Sequence, residues 1–310
     1  MYQISVIIPV FNKCKTLERA LQSVISQKNV KFEIIVVDDG STDGSISNLS
    51  NDLKRHFRLF WQPNSGVSVA RNVGVSLSSS ALITFLDADD EYLPGALEMF
   101  VRLSVKYPRA GFFSGTWDAI SESGVLYKVQ GSWPSDREGL VENFAHEYLT
   151  NTALVSSSST CIRRIAFDSA CGFPVGATIG EDVYFWIRMS ETAILCHSGQ
   201  LISRVYRNSD NRSHQTSAGN GQIPYYLTYY LLQEPGFLRY KSDSDLRHLI
   251  YWLSIKSLLG AKESGSNQLM GNIIKAFIGK HRLVGLIFFV ISIVPIRIIK
   301  IIRLLRQIKI

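Results

Sequence analysis

Residues 81–90 read ALITFLDADD, an apolar run that ends abruptly in the carboxylates Asp87, Asp89 and Asp90. A run of that length suits a strand buried on both faces of a sheet. Its acids then fall at the strand's carboxyl end, the edge where open α/β sheets bind ligands. In an extended segment Asp87 and Asp89 point the same way. Two such carboxylates repel each other unless a cation lies between them, and hard divalent cations favour oxygen donors and substrate phosphates. An acidic turn ahead of a helix near Pro94 is the plainer alternative that the spacing leaves open.

Upstream, the chain alternates strand and helix. Residues 4–10 (ISVIIPV) form a first buried strand. Thr16 is expected to cap a helix reaching about Gln27, with Leu17, Ala20, Leu21, Val24 and Ile25 inward. Residues 33–37 (EIIVV) form a second strand, which runs into the turn-rich DDGSTDG of residues 38–44. A short strand at 58–62, a loop at Asn64-Ser65-Gly66 and a small-residue helix at 67–77 lead into the run described first. Alternation of this kind predicts right-handed βαβ units and a mainly parallel sheet, hence an α/β fold.

Downstream the periodicity changes. A helix is expected at 94–106, a hairpin at 111–120 and 125–130, and a helix at 139–150. Strand-like 160–165 follows the serines 156–159. A helix at 181–191 and strands at 193–196 and 201–206 come next. Residues 208–221 read as a loop, and 224–280 as helical without a usable motif.

The 310 residues, 46% of them hydrophobic, suffice for a large α/β domain with an extension. Four dispersed cysteines suggest neither a zinc site nor a disulfide framework. The opening MYQISVIIPV enters a strand at once and has no leader-like segment. Of the net charge of +7, residues 281–310 carry +6 without one acid, which leaves +1 for the remainder. A nearly neutral body with a basic tail argues against a nucleic-acid groove and for an anionic-surface anchor.

Four segments would share one edge of a parallel sheet: Pro9-Val10-Phe11-Asn12, Asp38-Asp39-Gly40-Ser41, Asn64 to Asn72 with Arg71, and Asp87-Ala88-Asp89-Asp90. Together they resemble the family 2 glycosyltransferases, closely over residues 3 to about 100. The likeness resumes at Gly180-Glu181-Asp182, with Trp186 and Arg188, and again at Tyr206-Arg207. The resemblance implies a GT-A fold: a mixed, mainly parallel central sheet flanked by helices, with a C-terminal helical extension. The likeness stops near residue 215, so the sequence reads as a catalytic domain at 1–215, then a helical extension at 216–280 and, from its charge and apolar run, a membrane-associating tail at 281–310.

The resemblance also implies roles. Asp39 would accept from the nucleotide base, and Pro9 and Phe11 would frame that base. Arg71 would approach the donor diphosphate, where its fork suits phosphate oxygens. Asp87 and Asp89 would be the Asp-X-Asp pair, one reaching the ribose and the other a divalent cation, Mn2+ or Mg2+; which does which stays open, and Asp90 is a third candidate. Asp182 would be the general base, with Glu181 supporting it or touching the acceptor. Arg207 would close over the diphosphate. The implied reaction is inverting transfer from a nucleotide-sugar, a UDP-sugar foremost, to a hydroxyl of a lipid-linked or growing polysaccharide. A nucleotidyltransferase of similar fold and an inactive membrane scaffold are the alternatives. The loop Phe11-Asn12-Lys13-Cys14-Lys15 lacks the glycines of the first, and the presence of Asp89 and Asp182 speaks against the second.

The apolar run 283–296 is 14 residues long, short of the roughly 20 that a spanning helix needs. Beyond it, Ile301, Ile302, Leu305 and Ile308 share a helical face opposite Lys300, Arg303 and Gln307. The tail therefore reads as an anchor lying on the cytoplasmic face of a membrane.

Overall fold

Every residue of β1 (Ile4–Val10) is buried: parallel neighbours β2 (Phe32–Asp38) and β4 (Leu82–Phe85) take its edges, and helices cover both of its faces. β3 (Arg58–Trp61) extends the parallel set beyond β2. Past β4 comes β9 (Thr160–Arg163), antiparallel to both β4 and β6 (Ala110–Ile120). β10 (Ile194–Tyr206) then pairs parallel with β6. The short strands β5 (Glu91–Tyr92) and β8 (Glu138–Val141) pair antiparallel with β10, and β7 (Leu126–Lys128) with β6. The sheet is thus mixed, with β1, β2, β3, β4, β6 and β10 running one way and ending on one edge.

The computed structural model describes residues 2–129, 133–151, 153–207, 222–279 and 282–293. The chain divides into two units, residues 1–177 with 181–211 and residues 178–180 with 212–310. The sheet lies in the first.

Helices cover both faces of that sheet. α1 (Leu17–Ile25) buries Leu17, Ala20, Leu21 and Val24, and α4 (Ala96–Lys106) buries Leu97, Phe100 and Leu103. Both pack on Ile4, Val6, Ile8 and Val10, the face of β1 given by its period of two. α2 (Asn51–Lys54) is a single turn capped by the Ser50 hydroxyl, which accepts from the Leu53 N–H. On the opposite face α3 (Val67–Leu77) comes so close to β1 that a Cβ on Gly74 would stand 2.3 Å from Cγ2 of Ile7. α5 (Phe144–Thr150), α6 (Arg164–Ser169) and α7 (Glu181–Thr192) complete this unit.

Some elements differ from the sequence reading for local reasons. The Thr16 hydroxyl caps nothing and turns back to the Lys13 carbonyl. The helix expected at 139–150 begins only at Phe144, behind Asn143 as its cap, while Glu138 to Val141 join the sheet edge. The strand expected to reach Ile165 stops at Arg163, and Arg164 opens α6 with its guanidinium on the carbonyls of Val75, Ser78 and Ser80. The two strands expected around Gln200 are one, β10, with an irregular register between Ser198 and Leu201. The predicted hairpin is β6–β7, turning at Gly124 with φ +80°.

The second unit is helical. A turn at Tyr225–Leu227 runs into a wide π-turn at Thr228–Leu232. α8 (Glu234–Ser242), α9 (Ser244–Glu263), α10 (Asn267–Ile278) and α11 (Arg282–Ile293) follow. No helix of the described residues is long and apolar enough to cross a membrane. The loop expected at 208–221 and the tail from 294 onward lie outside the described residues.

The α3–β1 contact yields a stability prediction. Gly74→Ala should lower unfolding free energy by about 1–3 kcal/mol, because overpacking a rigid strand outweighs alanine's better helix propensity. Equilibrium urea denaturation would show the midpoint falling, and a rise would contradict the close approach.

Candidate active site

β4 ends at Phe85, and its acids lie on a turn rather than an extended strand. The Asp90 N–H donates to the Asp87 carbonyl at 2.9 Å, which closes the turn. Asp and Ala at these places suit a turn more than a continued strand. The extended segment expected there is corrected to a turn, and each of the two acids is paired with a cation. Arg71 Nη2 donates to Asp87 Oδ1 at 2.8 Å, and Lys13 Nζ donates to Asp89 Oδ2 at 2.7 Å. Arg19 Nη2 holds the Asp89 carbonyl at 2.5 Å, with its guanidinium 3.6 Å over the Tyr206 ring.

Asp90 is buried beneath them. Its Oδ1 accepts from the Tyr206 N–H at 3.1 Å, and Oδ2 is 2.6 Å from Ser158 Oγ. The same serine oxygen accepts from the Asp87 N–H at 3.2 Å. Desolvation first, then the charges of Asp89 and Asp87, push the Asp90 carboxyl well above the usual carboxylate range. Asp90 is thus an internal brace joining the acidic turn, the 3₁₀ turn Ser157–Ser159 and the end of β10.

The ends of β1 and β2 interlock. The Asn12 N–H donates to Ser41 Oγ, the Thr42 N–H to Asn12 Oδ1, and the Lys13 N–H to Ser45 Oγ. Asp43, which accepts from Ser45 Oγ and the N–H groups of Ser45 and Cys14, is held down at about 2 despite desolvation. Asp38 accepts from the Ser41 N–H as a turn former.

Asp39 is buried and shapes the next loop. Its Oδ1 accepts from Gln62 Nε2 and the Ser65 N–H, and Oδ2 from the Gly66 N–H, at 2.7–2.9 Å. A carboxylate offers about four acceptor positions, so room remains on Oδ2 for one further N–H. Pro9 is buried in β1, while Phe11 stands 42% exposed beyond it.

Arg71 is enclosed between two acids. Its side chain is 4% exposed, and its guanidinium bridges Asp87 and Glu181, the second through Nη1 at 3.2 Å. The acidic turn and the start of α7 are therefore held by one side chain. α7 is seated by an aromatic cluster: Phe173 stacks on Phe185 at 4.0 Å and meets Phe85 edge-on at 5.2 Å. Asn72 clamps that cluster by exchanging two hydrogen bonds with the Phe173 backbone.

Gly180, at φ +72°, turns the chain into α7. Desolvation raises both acids of its first turn. For Glu181, Asp182 adds to the rise and Arg71 opposes it. For Asp182, Arg71 is the strongest opposing influence and Asp87 pushes upward. Asp182 therefore feels Asp87 across the site, which brings the base candidate and the acidic turn into one electrostatic cluster.

Arg207, expected over the diphosphate, is exposed after β10 with its guanidinium 5.6 Å over the Tyr127 ring. Trp186 is core and Arg188 pairs with Glu191. His197 is buried against Ser114 and Trp133, and burial drops it to about 3, so it stays neutral. The sequence reading gave no role to Lys13, Arg19 or Ser158. Lys13 and Arg19 lie in and just after the β1–α1 loop, where no local spacing links them to Asp89.

Residues 5–169 match the model of the glycosyl transferase family 2, over half of the chain. The chain belongs to the family 2 glycosyltransferases. It is 30% identical over 233 residues to an uncharacterised glycosyltransferase of Rickettsia bellii, a match covering 74% of this chain and 32% of that one. It is 29% identical over 222 residues to glycosyltransferase GlyA of Streptococcus pneumoniae, covering 68% and 32%. The chain thus spans about a third of the length of these curated relatives. Among solved structures, TarS 1–349 of S. aureus in complex with UDP-GlcNAc superposes with a TM-score of 0.59 at 16% identity, covering 88% of this chain and 81% of that one. That likeness carries the fold, a GT-A architecture.

Divalent cations are common in the family. Among the described residues no three His, Cys, Asp or Glu side chains are gathered as a metal cage. A cation of the Mg2+ type needs only one or two carboxylates when substrate phosphates complete its shell. Asp87 and Asp89 meet that lesser demand, as two carboxylates on one short turn. The donor set fits, with Lys13 as a resident competitor at Asp89.

Asp90 allows a pH test. A carboxyl whose folded pKa is raised stabilises the fold while protonated, below the usual carboxylate value near 4. That contribution is lost as pH climbs toward the folded value. Asp90→Asn mimics the protonated form and can donate to Ser158. Its melting temperature relative to wild type should therefore rise as pH goes from about 4 to 8. A gap that stays flat or narrows in a pH series would contradict the protonated brace.

Proposed function

We propose that the chain transfers a sugar from a nucleotide-sugar, a UDP-sugar foremost, to an acceptor hydroxyl with inversion at the anomeric carbon. The observation that carries this reading is the Arg71 guanidinium shared between Asp87 and Glu181, which brings the acidic turn and the head of α7 to one site. A purely structural acidic turn has no need of a second acid pair across a buried arginine.

In this reading Asp39 offers its remaining Oδ2 position to the base, with Phe11 packing beside it. Asp87 and Asp89 would hold a divalent cation, which when bound neutralises charge on the departing nucleoside diphosphate. Asp182 removes the proton from the acceptor hydroxyl as that oxygen attacks the face opposite the leaving group. Glu181 keeps Arg71 in place and thereby limits how far the Asp182 carboxyl is raised. Asp182 still sits above an ordinary carboxylate, so the acid limb of the rate profile should lie above pH 4. One base and direct displacement imply inversion. Arg71 becomes a positioning residue rather than a direct ligand of phosphate.

α11 presents Leu286, Ile287, Phe289, Val290 and Ile293 at half exposure or more, while Phe288 packs inward on Phe277. An exposed apolar face leading into a cationic tail supports attachment to an anionic membrane surface. That placement favours a lipid-linked or surface-polysaccharide acceptor.

Asp182→Asn should lower turnover with a UDP-sugar by about 10²–10⁴-fold with little change in nucleotide affinity. Turnover measured alongside calorimetric UDP binding checks it, and near-normal turnover would remove Asp182 as base. Deleting residues 281–310 should abolish cosedimentation with vesicles containing anionic lipid. Binding that survives the deletion would refute the anchor.

A further inference from the structure

Two acids of the β4 turn are each paired with a cation, Asp87 with Arg71 and Asp89 with Lys13. The two cations differ in how firmly they are held. Arg71 is 4% exposed, paired twice, and lies 5.0 Å from the Phe173 ring. Lys13 makes its contact from the β1–α1 loop through a flexible four-carbon stem. Its backbone is fixed, since its N–H donates to Ser45 Oγ at 2.7 Å and its carbonyl accepts from the N–H groups of Thr16 and Leu17. The ammonium can therefore leave Asp89 without disturbing the loop. The Asp89 backbone is held independently by Arg19.

We propose that Lys13 holds the cation's place on Asp89 in the donor-free protein and yields it when a nucleoside diphosphate arrives, moving its charge onto the phosphate oxygens. This rests on the reading of Asp89 as a cation ligand. An ammonium 2.7 Å from a carboxylate that is 14% exposed competes directly with any metal for the same oxygen. Diphosphate offers the lysine an alternative anion and offers the metal further oxygens, so donor and metal should bind in concert. By linkage, metal bound at Asp89 should in turn favour diphosphate. The device would keep a half-buried acidic site from loading metal before substrate.

The test is calorimetric titration of Mn2+ into wild type, Lys13→Met, Lys13→Arg and Asp89→Asn, without nucleotide and with saturating UDP, each variant first checked for a normal melting transition. Without nucleotide, Lys13→Met should bind Mn2+ about fivefold tighter than wild type, the scale of a lost ion-pair competitor. Lys13→Arg, which keeps the charge, should bind no tighter than wild type. With UDP the advantage of Lys13→Met should shrink, and with it the coupling between UDP and Mn2+. If Asp89→Asn loses Mn2+ while Lys13→Met gains nothing, the lysine proposal fails and the metal assignment stands. A gain that persists undiminished with UDP overturns the transfer of the lysine to phosphate. If Asp89→Asn binds Mn2+ like wild type, the metal assignment fails and this inference with it.

Discussion

Asp87, Asp89, Asp90, Glu181 and Asp182 are gathered where the strands of one sheet edge end, and their mutual repulsion must be balanced before anything can bind there. Two unit charges 4 Å apart interact by about 4 kcal/mol at an effective dielectric of 20. A handful of such pairs rivals the whole stability of a domain, about 5–15 kcal/mol. Arg71 supplies the central compensation because it reaches Asp87 and Glu181 together. Removing one partner of such a buried pair typically costs about 3–5 kcal/mol. Here it would also leave Asp182 without its main opposing charge. Stability and chemistry therefore meet in one guanidinium.

The strands were legible because burial on both faces leaves a blunt signature: ISVIIPV, EIIVV and ALITF are apolar whatever their neighbours do. The acids were legible as a set, because Asp38, Asp39, Asp87, Asp89, Asp90, Glu181 and Asp182 all sit where elements begin or end. The partners of those acids were not. Arg71 is separated from Glu181 by 110 positions and Lys13 from Asp89 by 76, and no periodicity connects them. The sequence leaves the turn at Asp87–Asp90 open beside a strand end, because DADD is equally compatible with both. The misplaced start of α5 and the missed helix α6 share one cause. Edge pairing of Glu138 to Val141 and the carbonyl cage around Arg164 are tertiary, and they override local propensity.

The site divides into parts that are locked and parts that are loosely held. Asp90 and Arg71 are buried and spent on neighbouring backbone or charge, and Asp39 is buried with most of its acceptor positions filled, so they define shape. Phe11 and Arg207 are exposed at the rim of the same sheet edge, where a ligand can reorganise them at little cost. Burial here follows the partners of each residue: Asp39 is enclosed by the loop it holds and Asp90 by Ser158 and Tyr206, although Phe11 and Arg207 stand just as near their strand ends.

Asp182 occupies the first turn of α7, where two opposing effects act on it. The helix's positive end and Arg71 favour its anion, and desolvation together with Asp87 disfavours it. A base in solution at an ordinary carboxylate value would be ionised but too weak to draw a proton from a hydroxyl efficiently. One buried without Arg71 would be raised further and would hold its proton more firmly. The raised but opposed condition of Asp182 lies between these limits, and it is set by the same arginine that fixes the acidic turn. In the proposed mechanism, the ionisation of Asp182 and the placement of Asp87 cannot then be varied separately by changing Arg71.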